Sequence, residues 1–220
     1  TSLAVISGAV TDSALPSIED ALNPLGLLEL ETVSDGALLA AVAQHASAPC
    51  RTRSFSTRDD VVCLVAGDVV NHEDLDWRTM TSAFRSGDRT PECARKLRGA
   101  FALVVVDRAY NRMWIVTDPS AWIPVLIRVS DSNVIVSNSL AAVIRAASAP
   151  ATVNDDWIYE SFYFNHNCGN TTPVVGVERL PPGTVTEVDL ETRRVAHHIM
   201  HARPSVPDRP LAGRDAVAHA

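Results

Sequence analysis

Short runs of apolar, mostly β-branched residues recur along this chain and limit what it can fold into. They occupy residues 3–10, 61–65, 101–106, 113–116, 125–129 and 134–136. Asp, Asn, Gly, Ser or Pro bounds these runs, which is the pattern of strands joined by tight turns. A strand-rich fold is therefore predicted.

Segments with helical patterning lie at residues 35–45, 71–84, 91–97 and 140–147. Because several strands follow one another with the helices set apart, this order predicts a layered α+β fold and not a strict alternation of strands and helices. Asn71 is predicted to cap its helix, since its side chain can accept a hydrogen bond from a free backbone N–H.

A Pro-Pro-Gly sequence at residues 181–183 predicts a tight turn. Proline fixes φ at one position and glycine supplies a positive φ at the next. The turn is expected to join strands at residues 174–180 and 184–190.

Composition and charge exclude several classes of protein. The 220 residues are 46% hydrophobic and 20% charged, which suits one folded domain. The net charge is −7 and the basic residues are scattered singly, so neither nucleic acid nor an anionic membrane is expected as a partner. No apolar run approaches the roughly eighteen residues of a membrane span, and a cytoplasmic location is expected. Lys96 is the single lysine, a coding bias that suggests a GC-rich bacterial gene.

The cysteines and histidines do not form a recognisable metal motif. Cys50, Cys63, Cys93 and Cys168 are widely spaced, and we expect them to be small buried apolar residues. His197, His198 and His201 lie close together, but no carboxylate or thiol nearby completes a metal shell. We interpret them as a solvated strand end, and no metal is expected in this chain.

Two segments near the end of the chain have distinct composition. Residues 157–169 concentrate aromatic residues on a predicted helix, and these side chains either pack in the core or form a docking surface for a domain or peptide. Residues 201–220 are rich in proline and poor in apolar residues. The predicted organisation is a domain at 1–200 and a linker at 201–220 that leads to a further domain.

Five short sequence motifs, taken together and in order, characterise this chain more specifically than any one of them does. They are Ala-Gly-Asp-Val-Val-Asn at 66–71, Leu-Arg-Gly-Ala-Phe-Ala at 97–102, Thr-Asp-Pro with a later Pro-Val at 117–125, Val-Ser-Asn-Ser-Leu at 136–140 and Leu-Pro-Pro-Gly at 180–183. In order and spacing the chain resembles the N-terminal amidotransferase domain of the asparagine synthetase family. Almost the whole chain takes part in the resemblance.

The resemblance implies an Ntn-hydrolase-type fold, a four-layer αββα sandwich of two antiparallel sheets. In active members of the family an N-terminal cysteine attacks the side-chain amide of glutamine, and its own α-amino group acts as the base. The ammonia then passes to a C-terminal ATP-dependent synthetase domain.

The chain departs from this family at the catalytic positions. Thr1 stands in place of the nucleophilic cysteine, and Ala66 stands in place of the asparagine that donates to the oxyanion. Only the Gly67 backbone N–H remains as an expected donor, and losing one such donor costs about 10²- to 10³-fold in rate. The turn at 117–125 has Thr117 and Ala121 where the family has arginine and glycine.

Three residues are candidates for holding the amino-acid end of a substrate. Asp68 takes the place of the family's glutamate after Asn-Gly, and Asp88 is the candidate for its Ser-Asp motif. Arg53 is one of three arginines, with Arg51 and Arg58, ahead of that strand.

Together these departures predict an amidotransferase-like scaffold that has lost glutaminase activity. The resemblance implies that its analogues are the β-lactam synthetases and lasso-peptide cyclases of natural-product biosynthesis, in which this site is vestigial. One alternative is an active amidohydrolase with N-terminal threonine, and the other is a stand-alone peptide- or partner-binding module. The family's pyrophosphate loop, Ser-Gly-Gly-x-Asp-Ser, does not occur, so ATP and Mg are expected only in a following synthetase domain. The expected partners are that domain, a second copy, and a peptide or amino-acid-derived substrate.

Overall fold

Strands make up most of the ordered elements in the computed structural model, which describes residues 2–8, 14–23, 28–35, 37–44, 55–58, 60–147, 150–166 and 169–200. The described strands are β1 Ser2–Gly8, β2 Glu29–Ser34, β3 Leu38–Gln44, β4 Phe55–Arg58, β5 Val61–Val69, β6 Gly99–Asp107, β7 Arg112–Thr117, β8 Leu126–Val129, β9 Asn133–Ser137, β10 Val177–Arg179, β11 Thr184–Asp189 and β12 Val195–Ile199. The α-helices are α1 Ala14–Leu22, α2 Trp77–Arg85, α3 Glu92–Lys96, α4 Leu140–Ala146 and α5 Asp155–Phe164, and a 3₁₀ turn spans His72–Asp74.

The strands form two antiparallel sheets. Sheet A has the order β10-β8-β9-β1-β3-β2, and sheet B has the order β12-β11-β7-β6-β5-β4. The two sheets pack face to face, because alternate residues of their central strands share one apolar core. Leu3 and Val5 of β1 belong to it together with Leu64 of β5 and Val104 of β6.

Helices cover the outer face of each sheet. Ile18 of α1 and Val143 of α4 share a core with Ala4 and Ile6 of β1, which point away from sheet B. On the other side, α2 and α3 pack on sheet B, where Phe84 stacks on Trp114 with ring centroids 4.9 Å apart. The order of layers is therefore helix, sheet, sheet, helix, and the predicted α+β sandwich is confirmed.

The helix predicted at residues 35–45 is wrong, because this segment forms β3. Leu38 through Ala43 are all buried, with Ala40 facing sheet B and Ala41 facing the helices. A central strand buried on both faces has a continuous apolar sequence that periodicity does not distinguish from a buried helix. Alanine favours a helix, but pairing with β1 on one side and β2 on the other overrides that preference.

The capping role predicted for Asn71 is also wrong. Its side chain makes no cap hydrogen bond. Instead it donates to Lys96 O at 3.1 Å and accepts from Arg98 N at 2.7 Å, which ties the end of β5 to the start of β6. Asp76 caps α2 by accepting from Arg78 N, and a hydrogen bond from Thr79 lowers the pKa of Asp76.

The Pro-Pro-Gly turn joins two strands as predicted, but the strands lie in different sheets. β10 is the edge strand of sheet A and β11 belongs to sheet B, so residues 181–183 form a corner between the sheets and not a hairpin. Gly183 has a φ of 61°, the positive value expected for its position. Its N–H donates to Asp118 O and its carbonyl accepts from Met200 N, both at 2.9 Å.

Each described helix is too short or too polar to cross a membrane. Residues 201–220, predicted as a linker, lie outside the described residues.

Candidate functional site

The sequence places its candidate oxyanion residues at the end of β5, and the structure keeps them together there. Ala66, Gly67 and Asp68 pair with Ala102, Phe101 and Ala100 of β6. Ala66 is fully buried, and its methyl group belongs to the core between the sheets that also contains Leu3. The side chain of residue 66 is therefore a buried methyl group, which has no hydrogen-bond donor.

Glycine is required at residue 67 by a close backbone approach. Gly67 has a φ of 85°, and a Cβ built on it would lie 2.1 Å from Ala100 O. Such a contact cannot be accommodated by moving a flexible side chain, because the neighbour is backbone. The same Cβ would lie 3.0 Å from Cγ1 of Ile123, which shows that the loop at 118–125 lies against Gly67.

Asp118 organises that loop from a buried position, with 1% of its surface exposed. One carboxylate oxygen accepts from Ser120 N at 2.8 Å, and the other accepts from Trp122 N at 3.1 Å and Phe101 N at 3.3 Å. Phe101 is the residue paired with Gly67 on β6. The carboxylate therefore fixes the loop relative to the candidate oxyanion position.

Thr117 has a structural role at the position where the resemblance implies an arginine. Its hydroxyl donates to Pro181 O at 2.7 Å and accepts from Thr184 N at 3.1 Å. The side chain is fully buried, so it binds the corner between the sheets and offers no cationic group to a substrate.

Ala121 has a backbone conformation that glycine favours. Its φ is 47°, in the left-handed region where a Cβ is unfavourable, and its N–H donates to Asp118 O at 3.0 Å. The turn therefore holds an alanine at a position where glycine is favoured.

We expect Ala121→Gly to raise the free energy of unfolding by about 1 kcal/mol, because glycine removes the Cβ penalty at a positive φ. Urea denaturation followed by circular dichroism measures this change. Ala109→Gly is the matched control, since Ala109 is an exposed turn residue whose φ is not positive. At that position glycine is expected to leave the free energy of unfolding unchanged or to lower it. A lower stability for Ala121→Gly would contradict the interpretation.

The start of β1 is held by side chains from the β9–α4 connection. Asn138 Oδ1 accepts from Leu3 N at 2.9 Å, and Ser137 Oγ donates to Leu3 O at 2.6 Å. Sequence reasoning placed both residues in a family block but derived no role for them. Thr1, the candidate nucleophile next to Ser2, lies outside the described residues.

The candidate substrate-binding residues are not all placed in one site. Asp68 follows Gly67 on β5, whereas Asp88 lies on the exposed turn after α2 and accepts from Thr90 N at 3.0 Å. Arg53 lies outside the described part of the chain. Their roles in binding an amino acid remain predictions.

The described cysteines lie in environments that disfavour the thiolate. Burial raises the pKa of the Cys63 thiol to about 12, with a further contribution from the charge of Asp107. Burial also raises the pKa of Cys93. Both thiols are protonated near neutral pH, and reactive cysteines need the opposite environment. Cys50 and Cys168 are outside the described residues.

The histidines of β12 lie beside polar side chains of β11. His197 Nδ1 lies 2.9 Å from Thr186 Oγ1, and His198 Nε2 lies 3.5 Å from Glu187 Oε2. His201 is not among the described residues, and within those residues three or more metal-binding side chains do not come together.

Comparisons with known proteins identify relatives of this arrangement. A family model described as a glutamine amidotransferase domain matches residues 55–199. A search of curated proteins found no match. The structure is similar to the allosteric regulatory enzyme of purine biosynthesis, with 10% sequence identity and a TM-score of 0.60. It is also similar to glutamine phosphoribosylpyrophosphate amidotransferase from B. subtilis, complexed with ADP and GMP, with 11% identity and a TM-score of 0.51.

Both structural matches include 92% of this chain and 50% of the other protein. The chain therefore spans half the length of these two structures. At such low sequence identity the likeness concerns the fold, and it confirms the predicted Ntn-hydrolase-type sandwich.

Proposed function

Because the chain belongs to the family of glutamine amidotransferase domains, we propose that it is a member that has lost glutaminase activity and serves as the N-terminal scaffold of an ATP-dependent, amide-forming ligase of the asparagine synthetase type. The family and the fold are the premises of this proposal. The loss of activity and the ligase context are what it adds.

The observation that carries the loss of activity is the buried methyl group of Ala66. A tetrahedral intermediate formed from an amide needs donors aimed at its oxyanion before the reaction begins. Ala66 is fully buried beside Gly67 and has no donor on its side chain. Removal of one such donor costs about 10²- to 10³-fold in rate.

The nucleophile and the substrate clamp add to this loss. In sequence Thr1 stands where the family has cysteine, and a hydroxyl is a weaker nucleophile than a thiolate at neutral pH. The hydroxyl of Thr117 donates a hydrogen bond to the corner at 181–183 and so is not available to a substrate. Together these departures support the proposal that several requirements of glutamine hydrolysis are absent.

The ligase context rests on two observations. One is the order of the family blocks in the sequence. The other is that the structural matches cover only 50% of the two similar proteins. An amide-forming ligase of this kind takes its ATP and Mg²⁺ in the synthetase half, so neither is assigned to this chain. In β-lactam synthetases and lasso-peptide cyclases an amine of the substrate itself attacks the activated carboxylate. A peptide or amino-acid-derived substrate is the class that fits such a ligase.

The experiment is to incubate the purified chain with glutamine and to measure glutamate release. The proposal expects release at the level of the buffer, both for the chain with a mature Thr1 terminus, verified by mass spectrometry, and for Thr1→Ala. Thr1→Cys is expected to stay inactive as well, because it supplies a thiol without restoring the donor missing at Ala66.

An active amidohydrolase is the second candidate, and Thr1 is the observation that favours it. An N-terminal threonine can be activated by its own α-amino group, whose pKa of about 8 suits a base at neutral pH. Glutamate release that disappears in Thr1→Ala would establish this candidate. Activity gained by Thr1→Cys alone would show that Ala66 is not the cause of the loss.

A further inference from the structure

Helix α5 carries its large apolar side chains on its outer side. We define its aromatic face as Ile158, Tyr159, Phe162 and Tyr163, which recur at the helical spacing of three and four residues. Phe162 is 88% exposed and Tyr163 is 81% exposed, and none of the residues of α5 is buried. The interpretation of these aromatics as core residues is therefore wrong for this face.

The aromatic face is both apolar and open to solvent. Its four residues and Asp155 line a surface cavity of about 630 Å³. Val153 and Val175, which are 61% and 51% exposed, lie beside the start of the helix, where Val175 N donates to Thr152 O at 2.9 Å. Contiguous apolar surface of this kind marks an interaction site in a folded protein.

We propose that the aromatic face of α5 is the docking surface for the domain that follows this one on the same polypeptide. The inference rests on the proposed function, since it names the surface through which the scaffold would hold the synthetase half. It assigns to α5 a role separate from the catalytic positions at β1 and β5.

The path of the chain supports this occupant. α5 is followed in the chain by β10, the edge strand of sheet A. Thr171, which lies between them, contacts both elements. Its Oγ1 donates to Glu160 Oε2 of α5 at 3.4 Å, and its backbone forms a β-bridge with Glu178 of β10. The corner after β10 binds Met200 through Gly183 O at 2.9 Å. The chain therefore reaches residue 200 on the side of the sandwich where β10 and α5 lie, and the polypeptide continues from that side.

The two similar structures give a second reason. Each contains as much chain outside the matched region as within it, because the match covers 50% of their length. A fold of this type is thus found together with a large additional part in the same polypeptide.

Charge argues against a second copy of α5 as the occupant. The helix has Asp155 and Asp156 in its first turn and contains Glu160, and its sequence, DDWIYESFYF, includes no basic residue. Two copies packed face to face would bring like charges together, which is unfavourable at an interface. The fitting partner has an apolar centre and a basic rim.

The test measures binding of the 220-residue chain to the polypeptide encoded after residue 220 in the same reading frame, by isothermal titration calorimetry. Phe162→Ser and Tyr163→Ser are each expected to raise the Kd more than tenfold, because exposed aromatic anchors carry much of the energy of an interface. Tyr110→Ser is the matched control, since Tyr110 is 58% exposed on a turn of sheet B, and its Kd is expected to match wild type.

Thermal melting of the variants shows whether the face packs on its own domain, and unchanged midpoints are expected for Phe162→Ser and Tyr163→Ser. A lowered midpoint, an unchanged Kd, a reading frame that ends near residue 220, or self-association abolished by Phe162→Ser would overturn the proposal. Glutamate release is measured separately. A chain that hydrolyses glutamine and still docks through Phe162 would refute the loss of activity and leave the docking surface standing.

Discussion

Asp118→Ala is expected to lower the free energy of unfolding by about 3 kcal/mol, because it leaves the buried N–H of Phe101 and the partly buried N–H groups of Ser120 and Trp122 without their acceptor. The carboxylate accepts from the N–H groups of Phe101, Ser120 and Trp122, and it is only 1% exposed. Water does not reach the N–H of Phe101, which is 1% exposed, without opening the loop. Urea denaturation followed by tryptophan fluorescence measures the loss.

Two variants make the Asp118 prediction specific. Asp118→Asn is expected to give an intermediate loss, because the amide has one oxygen for three donors and places an NH₂ group against at least one N–H. Asp131→Ala removes an exposed carboxylate from the β8–β9 turn and is expected to change stability by less than about 0.5 kcal/mol. Equal effects of Asp118→Ala and Asp131→Ala would refute a structural role for the Asp118 carboxylate.

Arg85→Ala is expected to destabilise the fold by about 3 kcal/mol, because it leaves the charge of Asp107 buried without its cation. Arg85 Nε and Nη2 donate to the two oxygens of Asp107 at 2.5 and 3.0 Å, and Asp107 is fully buried. Tyr110 adds a ring contact, with the Arg85 Cζ atom 4.7 Å from its centroid. This pair connects the end of α2 to the β6–β7 turn.

A double-mutant cycle tests the Arg85 prediction. Arg85→Leu combined with Asp107→Asn removes both charges and is expected to recover part of the stability lost in Arg85→Leu alone. Arg89→Ala, on the exposed turn after α2, is the control for loss of a positive charge and is expected to be nearly neutral. An additive cycle would mean that Arg85 and Asp107 act independently.

The layered fold follows from the sequence where apolar runs are bounded by turn residues. β5, β6, β7 and β9 were predicted on that basis, and the helices α3 and α4 were predicted to within a residue at each end. β3 was missed because its alanine-rich run is buried on both faces, so that neither periodicity nor propensity identifies a strand. The same limitation applies to the corner at 181–183, since a turn motif does not specify whether its two strands share a sheet.

The candidate site was predictable in part. Gly67 could be assigned from its block, and the structure supplies the reason, which is the close approach of Ala100 O. The roles of Asn71 and Thr117 could not be read from the sequence, because their partners are backbone groups that lie 25 residues away or more. The exposure of Phe162 was likewise undetermined, since an amphipathic helix has the same sequence whether its apolar stripe faces the core or a partner.

The corner at Gly183 gives the molecule a mechanical property. Gly183 bonds Met200 through its carbonyl and Asp118 through its N–H, each at 2.9 Å. Tension applied to the polypeptide beyond Met200 therefore bears on the residue that anchors the loop over Gly67. A displacement of the polypeptide after residue 200 would therefore act on the Gly183 corner at the point where β12 ends.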